Sequence, residues 1–168
     1  MKLGIFSDTH NHTSSTQAAL EMFRARGIMK LIHCGDITTP DILFLFAGWD
    51  ITCVFGNMDL NRSDLVAAAK QIGLRLPQNS HEVEADGVLI GVTHGHDANL
   101  LAGLIISGKY PYVCHGHTHH RRDEFQRPYS VRVINPGAMG GYRPETRSVC
   151  ILDTESGQVE FVEFPDLT

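Results

Sequence analysis

The sequence lacks any apolar run long enough to cross a membrane, and its cysteines lack the spacing of a metal-binding or redox pair. The apolar stretch before Ser7 is too short for a signal peptide. None of the four cysteines stands in a C-x-x-C motif, and each lies in or beside an apolar run. These absences predict a cytoplasmic protein with no membrane partner, whose cysteines are buried free thiols rather than disulfides.

The sequence also lacks an excess of basic residues. It has 14 lysines and arginines against 19 aspartates and glutamates, which gives a formal net charge of −5. Binding to long nucleic acid requires a broad positive surface, so such a partner is not expected. Repeats, low-complexity tracts and linker-like segments are missing too. With 42% hydrophobic residues, the chain is expected to form a single domain over residues 1–168.

Apolar runs alternate with helical periodicity in the first two thirds of the chain, and apolar runs dominate the last third. Strands are predicted over residues 2–6, 31–34, 51–55, 82–85, 88–93, 112–114, 132–134, 148–152 and 158–164. Helices are predicted over residues 13–26, from Pro40 onward, and over 64–72 and 99–107. Asp86-Gly87 indicates a hairpin. The order predicts an α/β fold with two packed mixed β-sheets flanked by helices, a four-layer α-β-β-α sandwich.

Seven residues of the types that bind metal ions follow the ends of predicted strands. They are Asp8, His10, Asp36, Asn57, His94, His117 and His119. Because ligands of open α/β sheets bind beyond the carboxyl ends of the strands, these donors are expected to gather at one edge. Two carboxylates, one amide and four imidazoles suit manganese, iron, zinc, nickel or cobalt. Seven ligands exceed the needs of one catalytic ion, but with one shared carboxylate they fit two ions about 3.5–4 Å apart.

Five motifs in this order resemble those of the calcineurin-like metallophosphoesterases. They are Asp8-Thr9-His10, Gly35-Asp36, Gly56-Asn57-Met58-Asp59, His94-Gly95-His96 and Gly116-His117-Thr118-His119. Asn135-Pro136-Gly137 resembles a further motif of the small bacterial and archaeal phosphodiesterase branch, so the resemblance covers most of the chain.

The resemblance implies a division of the ligands between two metal ions, with manganese expected first. Asp8, His10 and His119 are expected on the first ion, and Asp36 is expected to bridge to the second. The second ion is expected to take Asn57, His94 and His117. The implied reaction is hydrolysis of a small phosphodiester by attack of a metal-bridging hydroxide, with Asp36 and Asn57 holding the catalytic ions and His96 contacting the substrate or a ligand.

The sequence departs from the wider family at Met58. Many members carry a histidine there, which is thought to help protonate the leaving group, whereas methionine cannot donate a proton. Good leaving groups, such as aryl or activated esters, should therefore be favoured, with water, His96 or His12 as possible substitutes. The neighbouring Asp59 is expected either to orient a ligand or to cap its loop.

Three other functions remain open from the sequence. The same fold serves as a non-catalytic interaction scaffold in a retromer subunit, although all seven donor positions are filled here. A phosphomonoesterase is separated poorly from a diesterase, of which a cyclic-nucleotide enzyme would be a special case. A nuclease of the same superfamily is disfavoured by the short chain and the acidic balance. An oligomer is also possible, with Phe44, Phe46 and Trp49 as interface candidates if they do not pack in the core.

Overall fold

The structure is a computed structural model that describes residues 1–75 and 77–165. The strands are β1 (Lys2–Phe6), β2 (Lys30–His33), β3 (Asp50–Cys53), β4 (Ser80–Ala85), β5 (Val88–Thr93), β6 (Tyr112–Cys114), β7 (Arg121–Gln126), β8 (Val131–Pro136), β9 (Arg147–Asp153) and β10 (Val159–Phe164). The helices are α1 (Thr13–Ala25), α2 (Pro40–Phe44), α3 (Arg62–Gln71) and α4 (Ala98–Ile106), with a 3₁₀ turn at Arg127–Tyr129.

The strands form two mixed five-stranded sheets, so the predicted fold class is confirmed. The first sheet has the order β10-β9-β1-β2-β3 and the second has the order β4-β5-β6-β8-β7. Strands β1, β2 and β3 run parallel, as do β5, β6 and β8. Parallel strands end at a common edge, which brings the loops after them together.

Three apolar clusters separate the four layers. Helices α1, α2 and α3 pack on the outer face of the first sheet through residues such as Phe23, Leu43 and Leu65. The two sheets meet through alternate residues such as Ile5 and Val92. Helix α4 covers the outer face of the second sheet, where Leu104 packs near Val113. The sandwich therefore leaves the strand ends open at its edge.

Several local predictions are confirmed, and one strand was missed. Asp86 and Gly87 both have positive φ angles, 53° and 75°, as a type I′ hairpin turn requires. The four cysteines are buried and unpaired. Phe46 and Trp49 lie in the core, whereas Phe44 is 40% exposed. Strand β7 was not predicted because its sequence, RRDEFQ, has no apolar alternation. It is an edge strand, where charged residues are common.

No helix among residues 1–75 and 77–165 is both long enough and apolar enough to span a bilayer.

Candidate metal centre

Each predicted donor lies just beyond the end of a strand. Asp8 follows β1, Asp36 follows β2, and His94 comes directly after β5. Asn57 follows β3 after the short bridge at Val54. The loop after β6 carries His117 and His119 in the same way. The parallel strands thus deliver the donors to one edge of the sandwich.

The backbone is strained at most of these positions. Five of the seven predicted ligands have φ angles in the left-handed region: Asp8 (53°), His10 (42°), Asp36 (58°), His117 (69°) and His119 (59°). Each such non-glycine residue costs on the order of 1–3 kcal/mol, a cost that proteins concentrate at functional sites. The strain therefore marks this edge as a site independently of any motif.

Glycines allow the loops to approach these side chains closely. A Cβ atom on Gly56 would lie 2.0 Å from Asp36 Oδ1. A Cβ atom on Gly116 would lie 1.9 Å from the Ser7 hydroxyl and 2.6 Å from Asp8 Oδ2. Only glycine fits at these two positions while the carboxylates keep their present places.

Asp36 and His94 form the buried floor of the site. Asp36 is 2% exposed and His94 is fully buried. The Nδ1 atom of His94 is 2.7 Å from the Cys34 carbonyl, so it must carry the proton and donate. The unprotonated Nε2 atom then points into the site, 3.4 Å from Asp36 Oδ2 and 3.1 Å from Asn57 Oδ1.

Asp8, His10 and His119 converge beside this floor. His119 donates from Nδ1 to the Tyr142 carbonyl, which turns its Nε2 atom toward Asp8 Oδ1 at 3.2 Å. The Nε2 atoms of His10 and His119 are 3.3 Å apart. His10 Nε2 also lies 3.6 Å from Asp36 Oδ2. The three side chains therefore aim their donor atoms at one point.

The donor set has room and chemistry for metal ions. Within residues 1–75 and 77–165, Asp8 Oδ1 is buried and makes no hydrogen bond, although three imidazole nitrogens approach within 3.9 Å. Such an orphaned carboxylate oxygen is costly unless a cation faces it. Two groups of side chains are close enough to hold an ion: Asp8, His10 and His119, and Asp8, Asp36 and His94. The residues therefore fit the group that the motifs imply.

Asn57, His117 and His96 lie on the open side of the site. Asn57 and His117 are exposed, and the His117 ring lies 5.2 Å from the His94 ring. His96 is also exposed, with ring centroids 5.4 Å from His94 and 6.3 Å from His117. These three side chains are near the buried donors but are reachable from solvent.

The electrostatics reflect two carboxylates among several imidazoles. Burial opposes charge on His94, but the nearby carboxylates of Asp36 and Asp8 prevail and raise its pKa. The Asp8 carboxylate, 3.2 Å from the His119 Nε2 atom, raises the pKa of His119 in the same way. Burial lowers the pKa of His10 and, with the neighbouring His94, that of His96. The two carboxylates thus make the His94 and His119 rings easier to protonate than an ordinary imidazole.

Asp59 ties two ligand loops together, which goes beyond a local loop cap. Its Oδ2 atom accepts hydrogen bonds from the Gly56 and Asp36 amides at 2.6 Å and 3.1 Å, and its Oδ1 atom accepts from Thr38 N at 2.7 Å. Burial raises the pKa of this carboxyl, although the three amides oppose the rise. Asp59 thereby fixes the loop of Asp36 against the loop of Asn57.

The Met58 backbone also supports Asp36, while its side chain faces outward. Met58 N donates to Asp36 Oδ1 at 2.8 Å, and the thioether side chain is 46% exposed. His12 sits at the start of α1 and contacts the Arg147 guanidinium at 3.1 Å from its Nε2 atom. His115 is buried behind the site and lies 3.0 Å from the Gly116 carbonyl through Nδ1.

Sequence reasoning missed a buried support made by His33 and Thr9. The Gly35 amide donates to His33 Nδ1 at 3.1 Å, so the proton of the neutral ring sits on Nε2 and is donated to Thr9 Oγ1, also at 3.1 Å. The Thr9 hydroxyl in turn donates to the Asp36 carbonyl at 3.3 Å. An isolated histidine inside an apolar strand carries no spacing signal, so only the structure reveals this chain of contacts.

His33 should make the stability of the protein depend on pH. Burial lowers its pKa to about 3, whereas an unfolded chain binds that proton near 6.5. As the pH falls, the unfolded state binds this proton at a higher pH than the folded state does. The free energy of unfolding therefore decreases as the pH drops from about 6.5 toward 3. Between about pH 7 and pH 5, His33 should account for roughly 2 kcal/mol of this loss.

Urea unfolding of the metal-free wild type and a His33→Gln variant at both pH values measures this contribution. Between about pH 7 and pH 5, the free energy of unfolding should fall by roughly 2 kcal/mol more in wild type than in the variant. His115 also has a pKa lowered by burial, to about 4, but it is present in both proteins and cancels. Equal losses in the two proteins would show that His33 does not stay neutral in the folded state.

A two-sheet sandwich with carboxylates and imidazoles gathered at one edge is the arrangement of a metal-dependent hydrolase. Residues 1–157 match the family model described as the calcineurin-like phosphoesterase superfamily domain. The chain belongs to that family, as its motifs predicted, and is therefore classed as a metal-dependent phosphoric ester hydrolase.

Two comparisons place the chain near archaeal members. It is 37% identical over 158 residues to phosphodiesterase MJ0936 of Methanocaldococcus jannaschii, which covers 92% of this chain and 94% of the relative. A solved structure described as a novel archaeal phosphodiesterase superposes with a TM-score of 0.89 at 35% identity, covering 98% of this chain and all of the other.

A third comparison is with a solved structure of lower sequence identity. Vps29 of Entamoeba histolytica, solved in complex with Zn²⁺, has a TM-score of 0.69 at 16% identity and covers 98% of this chain and 100% of its own. At that identity the likeness extends to the fold alone.

Proposed function

We propose that this protein hydrolyses small phosphodiesters with two divalent metal ions held by the seven predicted donors. The observation that carries the proposal is the convergence of Asp8, Asp36 and three imidazole Nε2 atoms around a buried carboxylate oxygen with no hydrogen bond. Similarity to a relative named phosphodiesterase, over nearly the whole of both chains, supports the choice of a diester.

The proposed ligand assignment is the one that the motifs imply, and the close group of Asp8, His10 and His119 agrees with its first ion. Asp8, His10 and His119 would hold the first ion, and Asn57, His94 and His117 would hold the second. Asp36 would serve both, because its Oδ2 atom lies 3.6 Å from His10 Nε2 and 3.4 Å from His94 Nε2. Manganese is the proposed ion, and iron, zinc, nickel and cobalt are the alternatives that the same ligands accept. Bound there, the ions would supply Lewis acidity and a hydroxide nucleophile near neutral pH.

The protein groups around the donors would hold Asp36 in place and contact the substrate. Asp59 and the chain from His33 through Thr9 hold the backbone of Asp36 in its strained conformation. His96 stands at the open side, where it could hydrogen-bond a phosphoryl or leaving-group oxygen. Burial and His94 lower its pKa, so His96 is largely neutral at neutral pH and only a small fraction of it is protonated and able to act as a general acid for the leaving group.

The methionine at position 58 leads to a prediction about which esters this protein cleaves. Its thioether occupies the exposed place beside Asn57 and offers no proton. An alkoxide leaving group would therefore depart without a dedicated acid, whereas a phenolate needs little protonation. We expect aryl diesters to be cleaved well and unactivated alkyl esters poorly.

The test is hydrolysis of bis(4-nitrophenyl) phosphate and of 4-nitrophenyl phosphate by protein stripped of metal and then reloaded. Manganese, iron, zinc, nickel and cobalt are added back separately. Turnover restored by metal, with the diester preferred, is the expected result. Preference for the monoester would replace the diesterase with a phosphomonoesterase. Binding of two ions without turnover of either ester would support the scaffold alternative.

A further inference from the structure

The two most exposed large hydrophobic side chains of the described residues both flank the candidate metal centre. Tyr142 is 85% exposed and Leu60 is 77% exposed. Tyr142 lies in the loop between β8 and β9, and Leu60 follows the Asn57 loop. Neither side chain contributes to the core, so both are accessible to a ligand that binds at the site.

The Tyr142 loop is anchored directly to the predicted ligands. The Tyr142 carbonyl accepts the hydrogen bond from His119 Nδ1. Just before it, a Cβ atom on Gly140 would lie 2.1 Å from the Thr9 carbonyl oxygen, and one on Gly141 would lie 2.6 Å from the His10 ring. Gly140 N also donates to the Asp8 carbonyl at 2.7 Å. The backbone that bears the tyrosine is therefore held against the Asp8–His10 segment, and the ring is left free at the rim.

The loop that follows Asn57 also exposes apolar side chains. Met58 is 46% exposed, and its amide is fixed to Asp36 Oδ1. Leu60 N donates to the Met58 carbonyl at 2.9 Å, which holds the leucine in the same short loop. Two loops that are hydrogen-bonded to the predicted ligands therefore carry exposed apolar side chains, Tyr142 on one loop and Met58 and Leu60 on the other.

We propose that Tyr142 stacks on an aromatic ring carried by an ester arm of the substrate. A substrate of this class has a phosphodiester group at the centre, and a flat aryl or nucleobase ring at the rim. The assignment of substrate class depends on the proposed diester hydrolysis, but the aromatic contact is a separate property. Stacking of a base on an aromatic side chain corresponds to about a tenfold gain in affinity, within a range of roughly 5- to 150-fold.

Calorimetric binding to the manganese-loaded protein tests the contact separately from turnover when it is run cold enough that the ligands are recovered uncleaved afterwards. The ligands are diethyl phosphate, diphenyl phosphate and a dithymidine phosphate, which share the phosphodiester group and differ in the arms. The proteins are wild type, Tyr142→Ala, Tyr142→Phe and Tyr129→Ala. Tyr129 is a matched control, because it is 41% exposed and follows β7 at the far end from the metal centre.

Wild type should bind diphenyl phosphate about tenfold more tightly than diethyl phosphate. Tyr142→Ala should lose most of that preference, whereas Tyr142→Phe and Tyr129→Ala should keep it. An equal gain with the dithymidine ligand would identify a nucleobase as a partner of the ring, and a gain with diphenyl phosphate alone would restrict it to simple aryl groups.

Two results would overturn the contact: wild type with no preference for aromatic arms, or Tyr142→Ala with the full preference. Failure of the proposed function gives a different pattern. In that case wild type binds diphenyl phosphate through Tyr142 but cleaves bis(4-nitrophenyl) phosphate with none of the metals.

Discussion

Replacing Asp36 by asparagine should lower metal-dependent hydrolysis of an aryl phosphodiester by at least about 10³-fold, the equivalent of about 4 kcal/mol of transition-state stabilisation. Asp36 is 2% exposed, and its Oδ2 atom lies between His10 and His94. An amide is nearly the same size but carries no charge. The variant therefore removes the negative charge between the His10 and His94 rings while keeping the shape of the side chain.

The fold should tolerate Asp36→Asn. The asparagine carbonyl can still accept the Met58 amide hydrogen bond that Asp36 Oδ1 accepts now. In the metal-free protein the melting temperature should therefore stay near that of wild type. Asp41→Asn is the matched control, since Asp41 is an exposed carboxylate in α2, and it should leave activity unchanged. Activity within about threefold of wild type in Asp36→Asn would contradict the bridging role.

Asp59→Ala should be the most destabilising single change among the groups that support the site, by about 3 kcal/mol. Three amides, of Asp36, Thr38 and Gly56, would lose their acceptor, and an unsatisfied buried N–H costs about 1–3 kcal/mol. Water can reach part of this loop because Thr38 is only partly buried, so the full sum is not expected. For a chain of this size the melting temperature should fall by about 6–12 °C.

Differential scanning calorimetry of Asp59→Ala, Asp59→Asn and an Asp64→Ala control measures this effect. Asp64 is exposed in the first turn of α3 and should change stability little. Asp59→Asn keeps one acceptor oxygen and should fall between wild type and alanine. Metal affinity should drop about 10- to 100-fold in Asp59→Ala, as for other groups that orient a ligand. A stability loss below about 1 kcal/mol would show that the amides find other partners.

The fold was predictable because periodicity and strand-end chemistry agree. The alternation of strands and helices up to residue 72 and the turn at Asp86-Gly87 each carry a local signal that the packing does not override. Strand β7 was not predicted because it is an edge strand that pairs with β8, and such a strand needs no apolar face. Residues RRDEFQ read alone resemble a surface loop.

The gathering of the candidate donors at one strand edge could be predicted from the sequence, but the residues that support them could not. The sequence identifies three of the candidate donors, Asp8, Asp36 and His94, because each follows a predicted strand. The role of His33 depends on a contact with Thr9, 24 residues away, which no local pattern encodes. The left-handed φ angles at Asp8 and Asp36 are likewise imposed by tertiary packing, because isolated aspartates adopt them at a cost.

The position of Tyr142 beside the candidate site could not be predicted from the sequence either. A tyrosine between Gly141 and Arg143 has no periodic partner in the sequence, and nothing nearby marks it as part of a site. Its place at the rim follows from the hydrogen bond between its carbonyl and His119, 23 residues earlier. Contacts of this length are fixed by the packing of the two sheets.

The stoichiometry of metal binding tests the central claim most directly. Protein stripped of metal is titrated with manganese, and the bound ions per chain are counted by elemental analysis after removal of free metal, alongside diester turnover at each step. Two ions per chain, with turnover rising as the second ion binds, is the predicted result. Saturation at one ion with full diester turnover would contradict the shared two-metal site, and failure to bind any of the divalent ions would contradict a metal centre at this edge altogether.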